Sequence, residues 1–202
     1  EKDVLRSHAT MIAKQMSAEP FNLVEFGAGD GTKAGILIEA MQRENCDFNY
    51  VPIDISEGAM IELAENLQCR FPDLEMKGLI SEYFTGIKYL SSHSQRRNLV
   101  LLLGSNIGNF NHAQERFFLR NIWNYLNHGD WLLAGFDLKK DIEMLLWAYN
   151  DRQGVTAQFN LNVLSRINRE LGGQFKLEHF RHFGTYDVFS GAMESYLVSR
   201  EQ

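Results

Sequence analysis

A short segment near the start of the chain carries three glycines at alternate positions, with an acidic residue before them and a basic residue after them. The glycines are Gly27, Gly29 and Gly31, the acid is Glu25, and the base is Lys33. Because glycine has no Cβ, such a segment lets the backbone turn tightly and come close to a ligand. The pattern therefore predicts a ligand-binding loop between a strand and a helix.

The glycine spacing separates two classes of ligand. A dinucleotide fingerprint needs glycines at the first, third and sixth positions, and the sixth position counted from Gly27 is Thr32. Alternate glycines after an acid fit the loop of enzymes that bind S-adenosylmethionine (SAM) better. SAM carries a ribose diol, an adenine and a methionine end with an ammonium and a carboxylate. We expect Lys33 to meet that carboxylate, and the other interpretation is an ordinary lysine on an exposed helix face.

Acidic residues after two later strands suit the rest of such a ligand. Asp54 ends a predicted second strand, where a carboxylate accepts hydrogen bonds from both ribose hydroxyls. The alternative for Asp54 is a charge that meets a helix dipole. Glu82 and Tyr83 follow a predicted third strand, where an acid accepts from the adenine amino group and the next backbone amide donates to a ring nitrogen. Glu82 can equally be a solvated loop residue.

The elements that must position these residues alternate along the first two-thirds of the chain. Apolar runs separated by amphipathic helices are typical of a parallel, doubly wound sheet with helices on both faces. The predicted strands are residues 22–26, 48–53, 74–80, 99–103 and 131–136. The predicted helices cover about residues 4–16, about 32–41 and a segment capped by Ser56. One more helix is expected to bury Phe117, Phe118, Ile122, Trp123 and Leu126.

The last third of the chain has a different pattern. Residues 141–150 and 155–171 are predicted to be helical, and the pair Gly172 and Gly173 ends the second helix. Residues 175–186 and 192–199 alternate like the strands of an antiparallel hairpin. Five parallel strands closed by an antiparallel pair form the outline of a Rossmann-like α/β methyltransferase sheet. We expect one domain over residues 1–202.

Composition excludes several classes of protein. The 202 residues are 45% hydrophobic and 23% charged, with a net charge of −6. The acidic balance argues against a nucleic-acid partner and against a polybasic membrane anchor, and the apolar runs are too short to span a bilayer. Two cysteines without metal or redox spacing favour reduced thiols in the cytoplasm, and no metal site is expected. The chain starts at Glu1 with neither an initiator methionine nor a signal peptide, so a fragment is one interpretation.

Motifs further along the chain identify a family. They are LLGSNIGNF at 102–110, FDLKKD at 136–141, AYND at 148–151, GVTA at 154–157, FNLN at 159–162 and NREL at 168–171. With this order on this sheet, the chain resembles the histidine-specific N-alpha-methyltransferase family of ergothioneine biosynthesis. The resemblance covers nearly the whole chain. It implies a Rossmann-like, class I SAM-dependent methyltransferase fold.

The resemblance also implies roles for individual residues around the cofactor. The SAM loop of the family maps onto Gly27, and its carboxylate-binding lysine maps onto Lys33. The ribose acid matches Asp54. The adenine-binding pair looks like Glu82 and Tyr83, in place of the usual Asp-Phe.

The resemblance assigns two residues to the substrate, Asn109 and Tyr149. Both would hold the amino-acid backbone while its α-amine attacks the methyl group, with histidine and its trimethyl betaine as the leading substrate and product. An amide donates and accepts hydrogen bonds, as a tyrosine hydroxyl does. The alternatives are a left-handed turn residue for Asn109 and a packed helix aromatic for Tyr149.

Substrate identity and partners remain open at the sequence level. In the family, chain before the first helix and after the hairpin contributes further substrate contacts, and Glu194-Ser195 is no convincing substitute for the later Glu-x-Ser motif. A fungal branch of the family methylates prenylated tryptophan, so another small amine is an alternative. A non-catalytic SAM-binding subunit and a nicotinamide-dependent dehydrogenase are the others. We expect a monomer that takes a small amino-acid substrate and binds neither nucleic acid nor membrane.

Overall fold

The computed structural model describes residues 1–104 and 106–201. Backbone contacts divide the chain into two compact units, Glu1–Asp137 and Leu138–Gln202. The expectation of one domain over residues 1–202 stays a prediction. No helix within the described ranges is both long and apolar enough to cross a membrane.

A parallel sheet forms the centre of the first unit. Its five strands are β1 (Phe21–Phe26), β2 (Phe48–Asp54), β3 (Leu79–Ile80), β4 (Arg97–Leu102) and β5 (Trp131–Ala134). The strand order is β3-β2-β1-β4-β5 and every pairing is parallel, so the predicted α/β class is confirmed. The order reverses direction between β1 and β4. In doubly wound sheets, ligands bind outside the carboxyl ends of the strands at such a reversal.

Helices cover both faces of this sheet. They are α1 (Lys2–Met16), α2 (Thr32–Arg43), α3 (Glu57–Arg70), α4 (Tyr83–His93) and α5 (His112–Tyr125). The first three pack in one apolar core with Leu23 of β1, and the last two pack in a second core with Val24. Neighbouring residues of one strand thus enter opposite cores, because side chains alternate across a sheet. The predicted cap of α3 is confirmed, since the Ser56 hydroxyl accepts a hydrogen bond from Ala59 N at 3.2 Å.

The structure differs from the prediction in two ways around the third strand. Residues 74–80 were expected to be one strand, but only Leu79–Ile80 pair continuously with β2, with one isolated bridge between Tyr50 and Met76. The following helix, α4, was not predicted, because Gly86, Ser91 and Ser92 lower its helix propensity. Gly86 lets this helix lie close to β2, since a methyl group built on it would lie 2.7 Å from Ile53 Cγ2.

The buried face of α5 is narrower than predicted. Phe118 and Ile122 are buried, whereas Phe117 is 67% exposed and Trp123 is 77% exposed. Positions 118 and 122 lie one turn apart and face the sheet, while 117 and 123 are each rotated by about 100° to either side. An apolar residue beside a buried stripe is therefore not itself buried here.

The second unit is a helical pair with a hairpin. Its elements are α6 (Ile142–Tyr149), α7 (Val155–Leu171), a 3₁₀ turn (Leu177–His179), β6 (Phe180–Asp187) and β7 (Ala192–Ser199). The predicted bounds of α7 and β7 are confirmed. Gly172 ends α7 in the left-handed conformation, and Gly173 N donates to Ile167 O at 3.1 Å.

The hairpin differs from prediction in two respects. Strand β6 begins at Phe180 rather than at 175, because the chain first makes the 3₁₀ turn. His179 therefore lies in that turn and does not share a strand with His182. The pairing of β6 with β7 forms a separate two-stranded sheet in the described residues, and it does not close the five-stranded sheet as expected. Both strands pack against α6 and α7 instead.

Candidate functional site

The glycine loop follows β1 at the reversal of strand order. Gly27, Gly29 and Gly31 have φ values of +65°, +56° and +71°, a left-handed region that favours glycine. Gly31 is packed closely, since a methyl group built on it would lie 2.7 Å from Leu63 Cδ1 of α3. A methyl group on Gly29 would meet no atom within 4 Å. The loop is thus fixed from below by α3 and open at Gly29.

The acid before the loop is part of the scaffold. Glu25 is buried in β1 and accepts a hydrogen bond from the Tyr50 hydroxyl of β2 at 2.5 Å. Burial raises the pKa of Glu25 to about 7, although the Tyr50 hydrogen bond and the positive charge of Lys33 act in the opposite direction. This carboxyl group therefore ties two neighbouring strands together directly beneath the loop.

Asp54 stands at the end of β2, beside the end of β1. Its Oδ1 accepts a hydrogen bond from Ser56 N at 2.9 Å, and its other oxygen makes no hydrogen bond within the described residues. The side chain is half-buried. Asp54 therefore orders the start of α3 and still has an acceptor for a ligand hydroxyl.

The start of α4 lies next to Asp54. Ser81 N donates to the Asp54 backbone oxygen at 2.9 Å, which places Glu82 and Tyr83 immediately after the contact. The Tyr83 ring stacks on Phe26 with 4.9 Å between ring centroids. Burial and the nearby charge of Asp54 raise the pKa of Tyr83.

Glu82 is the N-cap residue of α4, and its side chain is exposed. It makes no capping hydrogen bond to the helix. Glu82 is thus solvent-exposed, as the alternative interpretation expected, but it lies at a helix start rather than in a loop, one residue from the stacked Tyr83. Its carboxylate is available to a ligand.

Lys33 reaches across to the end of β4. Its Nζ lies 3.5 Å from Glu1 Oε2, and Glu1 Oε1 accepts a hydrogen bond from Gly104 N at 3.0 Å. A methyl group built on Gly104 would lie 2.5 Å from Lys33 Nζ, so the ammonium occupies the space that a side chain would fill. Lys33 is therefore not an ordinary surface lysine. Glu1 and Gly104 were missed by the sequence argument, although Gly104 lies in a family motif.

Asn109 follows β4 at the end of a short 3₁₀ helix, Asn106–Asn109. Ile107 of this turn is buried in the core beneath α4 and α5, whereas Asn109 is exposed. The Asn109 amide makes no hydrogen bond to the described part of the chain. Among described non-glycine residues only Asn45 has a positive φ, so the alternative of a left-handed turn at Asn109 is wrong. Ser105 of the same motif lies outside the described residues.

Tyr149 is the last residue of α6 in the second unit. His182 Nε2 donates to its backbone oxygen at 2.8 Å. The next residue, Asn150, binds both backbone groups of Gly184, donating to the oxygen at 2.9 Å and accepting from the nitrogen at 3.0 Å. The Tyr149 ring is partly exposed and forms no stacking pair in the described chain. The roles of Asn150 and Gly184 in fixing the position of Tyr149 were not predicted from the sequence, although Asn150 lies in the AYND motif.

The first unit thus groups most of the predicted site at one edge of its sheet. The glycine loop, Lys33, Asp54, Glu82 and Tyr83 all follow the carboxyl ends of strands, as Asn109 does, while Tyr149 belongs to the other unit. Among the described residues, no group of histidine, cysteine or acidic side chains could hold a metal ion. The arrangement offers the Asp54 carboxylate as an acceptor for a diol and the Tyr83 ring as an aromatic face. It also offers a basic notch, formed by Lys33 and Gly104 N, that already holds the Glu1 carboxylate.

Comparison with known proteins gives this arrangement a context. A family model described as histidine-specific, SAM-dependent methyltransferase matches residues 1–202. Histidine N-alpha-methyltransferase of Mycolicibacterium smegmatis is 34% identical over 200 residues, which cover 99% of this chain and 61% of that protein. The enzyme of the same name from Mycobacterium tuberculosis is 32% identical over 197 residues, covering 98% of this chain and 60% of that protein.

A fungal relative extends the comparison. Ergothioneine biosynthesis protein 1 of Schizosaccharomyces pombe is 26% identical over 210 residues, which cover 100% of this chain and 27% of that protein. The chain spans about three-fifths of the length of the two bacterial relatives. The family match covers every residue from 1 to 202, including the glycine loop, the 3₁₀ turn with Asn109 and the hairpin. The chain therefore belongs to the histidine-specific, SAM-dependent methyltransferase family.

Proposed function

We propose that this chain carries the SAM-binding and methyl-transferring part of an N-methyltransferase that acts on the α-amine of free histidine and yields its trimethyl betaine. The observation that carries the proposal is the notch beside the glycine loop, where Lys33 and Gly104 N hold a carboxylate. Family membership supports the choice of histidine.

The residues present fit the parts of SAM. Lys33 and Gly104 N suit the methionine carboxylate, since they already bind the carboxylate of Glu1. The unengaged oxygen of Asp54 suits a ribose hydroxyl, and Tyr83 with Glu82 suits the adenine. Gly27, Gly29 and Gly31 allow the tight turn of the loop, and the space beside Gly29 is open. A nucleoside can therefore approach the loop backbone closely.

The chemistry divides between cofactor and chain. SAM, when bound, supplies an electrophilic methyl group on a sulfonium. The chain must hold a neutral amine in line with that methyl group, and positioning accounts for most of the rate. The N–CH₃ bond forms as the S–CH₃ bond breaks, S-adenosylhomocysteine leaves, and an amine that still bears hydrogen releases a proton to solvent before the next transfer.

Asn109 and Tyr149 are the proposed substrate-binding residues. An α-amine has a pKa of about 8, so part of it is protonated at neutral pH. A hydrogen-bond acceptor on Asn109 or Tyr149 would hold the amine hydrogens while the lone pair stays available. Both side chains are exposed in their own units, so each can reach a ligand.

We extend the proposal to the setting of the reaction. The protein is a monomer in the cytoplasm and takes a free amino acid rather than a nucleic acid. The net charge of −6 argues against a nucleic-acid partner, and the two free cysteines, Cys46 and Cys69, suit the reducing cytoplasm. Light scattering after size-exclusion chromatography would test the monomer, and a dimer mass would contradict it.

Mass spectrometry of small molecules tests the function. The full-length protein is incubated with methyl-deuterated SAM and a pool of amino acids, beside an Asp54→Asn variant as control. Histidine that gains three labelled methyl groups is the expected result. A different labelled product would overturn histidine, and an unlabelled pool despite measurable SAM binding would overturn the catalytic role.

A further inference from the structure

Glu1 and Lys33 form an ion pair inside a notch between the ends of β4 and β5. The two charged atoms lie 3.5 Å apart, and Gly104 N donates to the other Glu1 oxygen. Glycines line both walls of this notch. A methyl group built on Gly104 would collide with Lys33 Nζ, and one built on Gly135 would collide with Glu1 Oε1. The two glycines thus create the space in which both charges sit.

This pair has the charge pattern of a binding site for a zwitterion. We propose that Glu1 binds the α-ammonium of the methionine end of SAM while Lys33 and Gly104 N bind its carboxylate, an inference that rests on the proposed function. In a free amino-acid moiety the ammonium and the carboxylate share one carbon, so they require an acid and a base that lie side by side.

The existing ion pair does not prevent such an exchange. The Glu1 side chain is 32% exposed and that of Lys33 is 22% exposed, so both can be reached from solvent. An ion pair that is partly exposed contributes little to stability, because water screens it. Binding replaces one internal pair by two pairs with the ligand, and no charge is left unpaired.

Other acids near the loop are engaged elsewhere. Glu25 is buried, its carboxyl group is bound by Tyr50, and its raised pKa reflects that burial. Asp30 is exposed, and its Oδ1 accepts a hydrogen bond from Thr32 N at 2.9 Å. Two acids lie near Glu25, namely Asp30 and Glu1. Of these two, Glu1 is the one that pairs with Lys33.

A ligand series in the full-length protein tests the assignment by calorimetry. The ligands are S-adenosylhomocysteine, its deaminated analogue that lacks the ammonium, and 5′-methylthioadenosine that lacks the whole amino-acid end. Glu1→Gln is expected to lower the affinity for S-adenosylhomocysteine by about tenfold, since one charge-assisted contact is lost. The affinities for the deaminated analogue and for methylthioadenosine are expected to stay the same.

Three variants serve as controls. Asp3→Asn removes an acid from the same helical turn, but Asp3 is 97% exposed and pairs with Arg6, so no affinity is expected to change. Lys33→Met is expected to weaken both carboxylate-bearing ligands and to spare methylthioadenosine. Glu1→Asp keeps the charge and is expected to restore part of the affinity for S-adenosylhomocysteine.

The outcomes separate this inference from the function on which it rests. Unchanged S-adenosylhomocysteine affinity in Glu1→Gln would overturn the ammonium role. Tighter binding of both carboxylate-bearing ligands would overturn it as well, because Glu1 would then be a competitor for Lys33. If the unmodified protein binds none of the three ligands, the proposed SAM-binding function itself fails.

Discussion

The ring of Tyr83 stacks on the ring of Phe26 at 4.9 Å between centroids and 14° between planes. Phe26 is the last residue of β1 and directly precedes the glycine loop, while Tyr83 is the first residue of α4. The contact therefore ties the proposed adenine-binding segment to the loop. Both segments must keep this relationship for one nucleoside to touch them together.

Removal of the Tyr83 ring is expected to weaken both the fold and the cofactor site. Tyr83→Ala loses a stacked pair and half-buried apolar surface, which is on the order of 1–2 kcal/mol of unfolding free energy. Tyr83→Phe keeps the ring and is expected to change urea stability and SAM affinity little. Equal SAM affinity in the alanine variant would contradict the adenine role.

Substitution of Asp54 is expected to act on the cofactor. Asp54→Ala removes the acceptor proposed for the ribose, so we expect the affinity for SAM in calorimetry to fall by about tenfold or more. Asp73→Ala is a suitable control, because Asp73 is exposed and lies before β3. Unchanged SAM binding in the Asp54 variant would refute the ribose assignment.

Asn109→Ala and Tyr149→Phe are expected to affect the amino acid rather than the cofactor. Each removes a proposed contact to the substrate, so the KM for histidine should rise while the Kd for SAM barely changes. Initial-rate kinetics and calorimetry on the full-length protein separate the two effects. An equal loss of both affinities would argue for a structural role instead.

Asn150→Ala is expected to act through Tyr149. It removes both hydrogen bonds to Gly184 and leaves the bond from His182 Nε2 to the Tyr149 backbone oxygen, so the end of α6 is held to β6 less firmly. Each bond contributes on the order of 1 kcal/mol to stability. The KM for histidine should rise with unchanged SAM affinity, whereas the exposed Asn162→Ala on α7 should alter neither. A rise in both constants would show that the effect is not confined to the substrate.

The buried Glu25 predicts a specific pH dependence of stability. Its folded pKa is about 7, above the ordinary value of 4.5, so folding favours the protonated form. The stabilising contribution is complete below about pH 4.5 and is lost as the pH rises to about 7. The loss is on the order of 3 kcal/mol.

Glu25→Gln should remove this component of the pH profile. Urea unfolding at several pH values would compare the variant with the unmodified protein, with the exposed Glu39→Gln as control. As the pH rises from about 4.5 to about 7, the parent should lose unfolding free energy relative to the Glu25 variant. A difference that is constant with pH would mean that folding does not raise the pKa of Glu25, which would contradict this prediction.

Local patterns in the sequence predicted much of this fold. The bounds of α7 and β7 follow from a glycine stop at Gly172 and from strict alternation, which are properties of a few adjacent residues. The helix α4 was missed because its propensity is low and its packing against Ile53 decides the outcome. Phe117 and Trp123 were misplaced because composition cannot show how wide the buried stripe is.

The site divides in the same way. The glycine loop, Asp54 and the Glu82–Tyr83 pair could be expected at one place because each follows a strand, and strand ends meet at one edge of a parallel sheet. The carboxylate notch was not found, because the contact between Glu1 and Gly104 joins residues 103 positions apart. Only the folded chain brings those positions together.

The division of the chain after Asp137 has a consequence for how this protein can change over evolution. The glycine loop, Lys33, Asp54 and Tyr83 are all encoded before that boundary, and Tyr149 is encoded after it. Substitutions in the later stretch can alter acceptor preference while the packing around the loop is inherited unchanged. Descendants with new acceptors are therefore expected to carry adaptive substitutions beyond residue 137 and around Asn109, and few in the glycine loop.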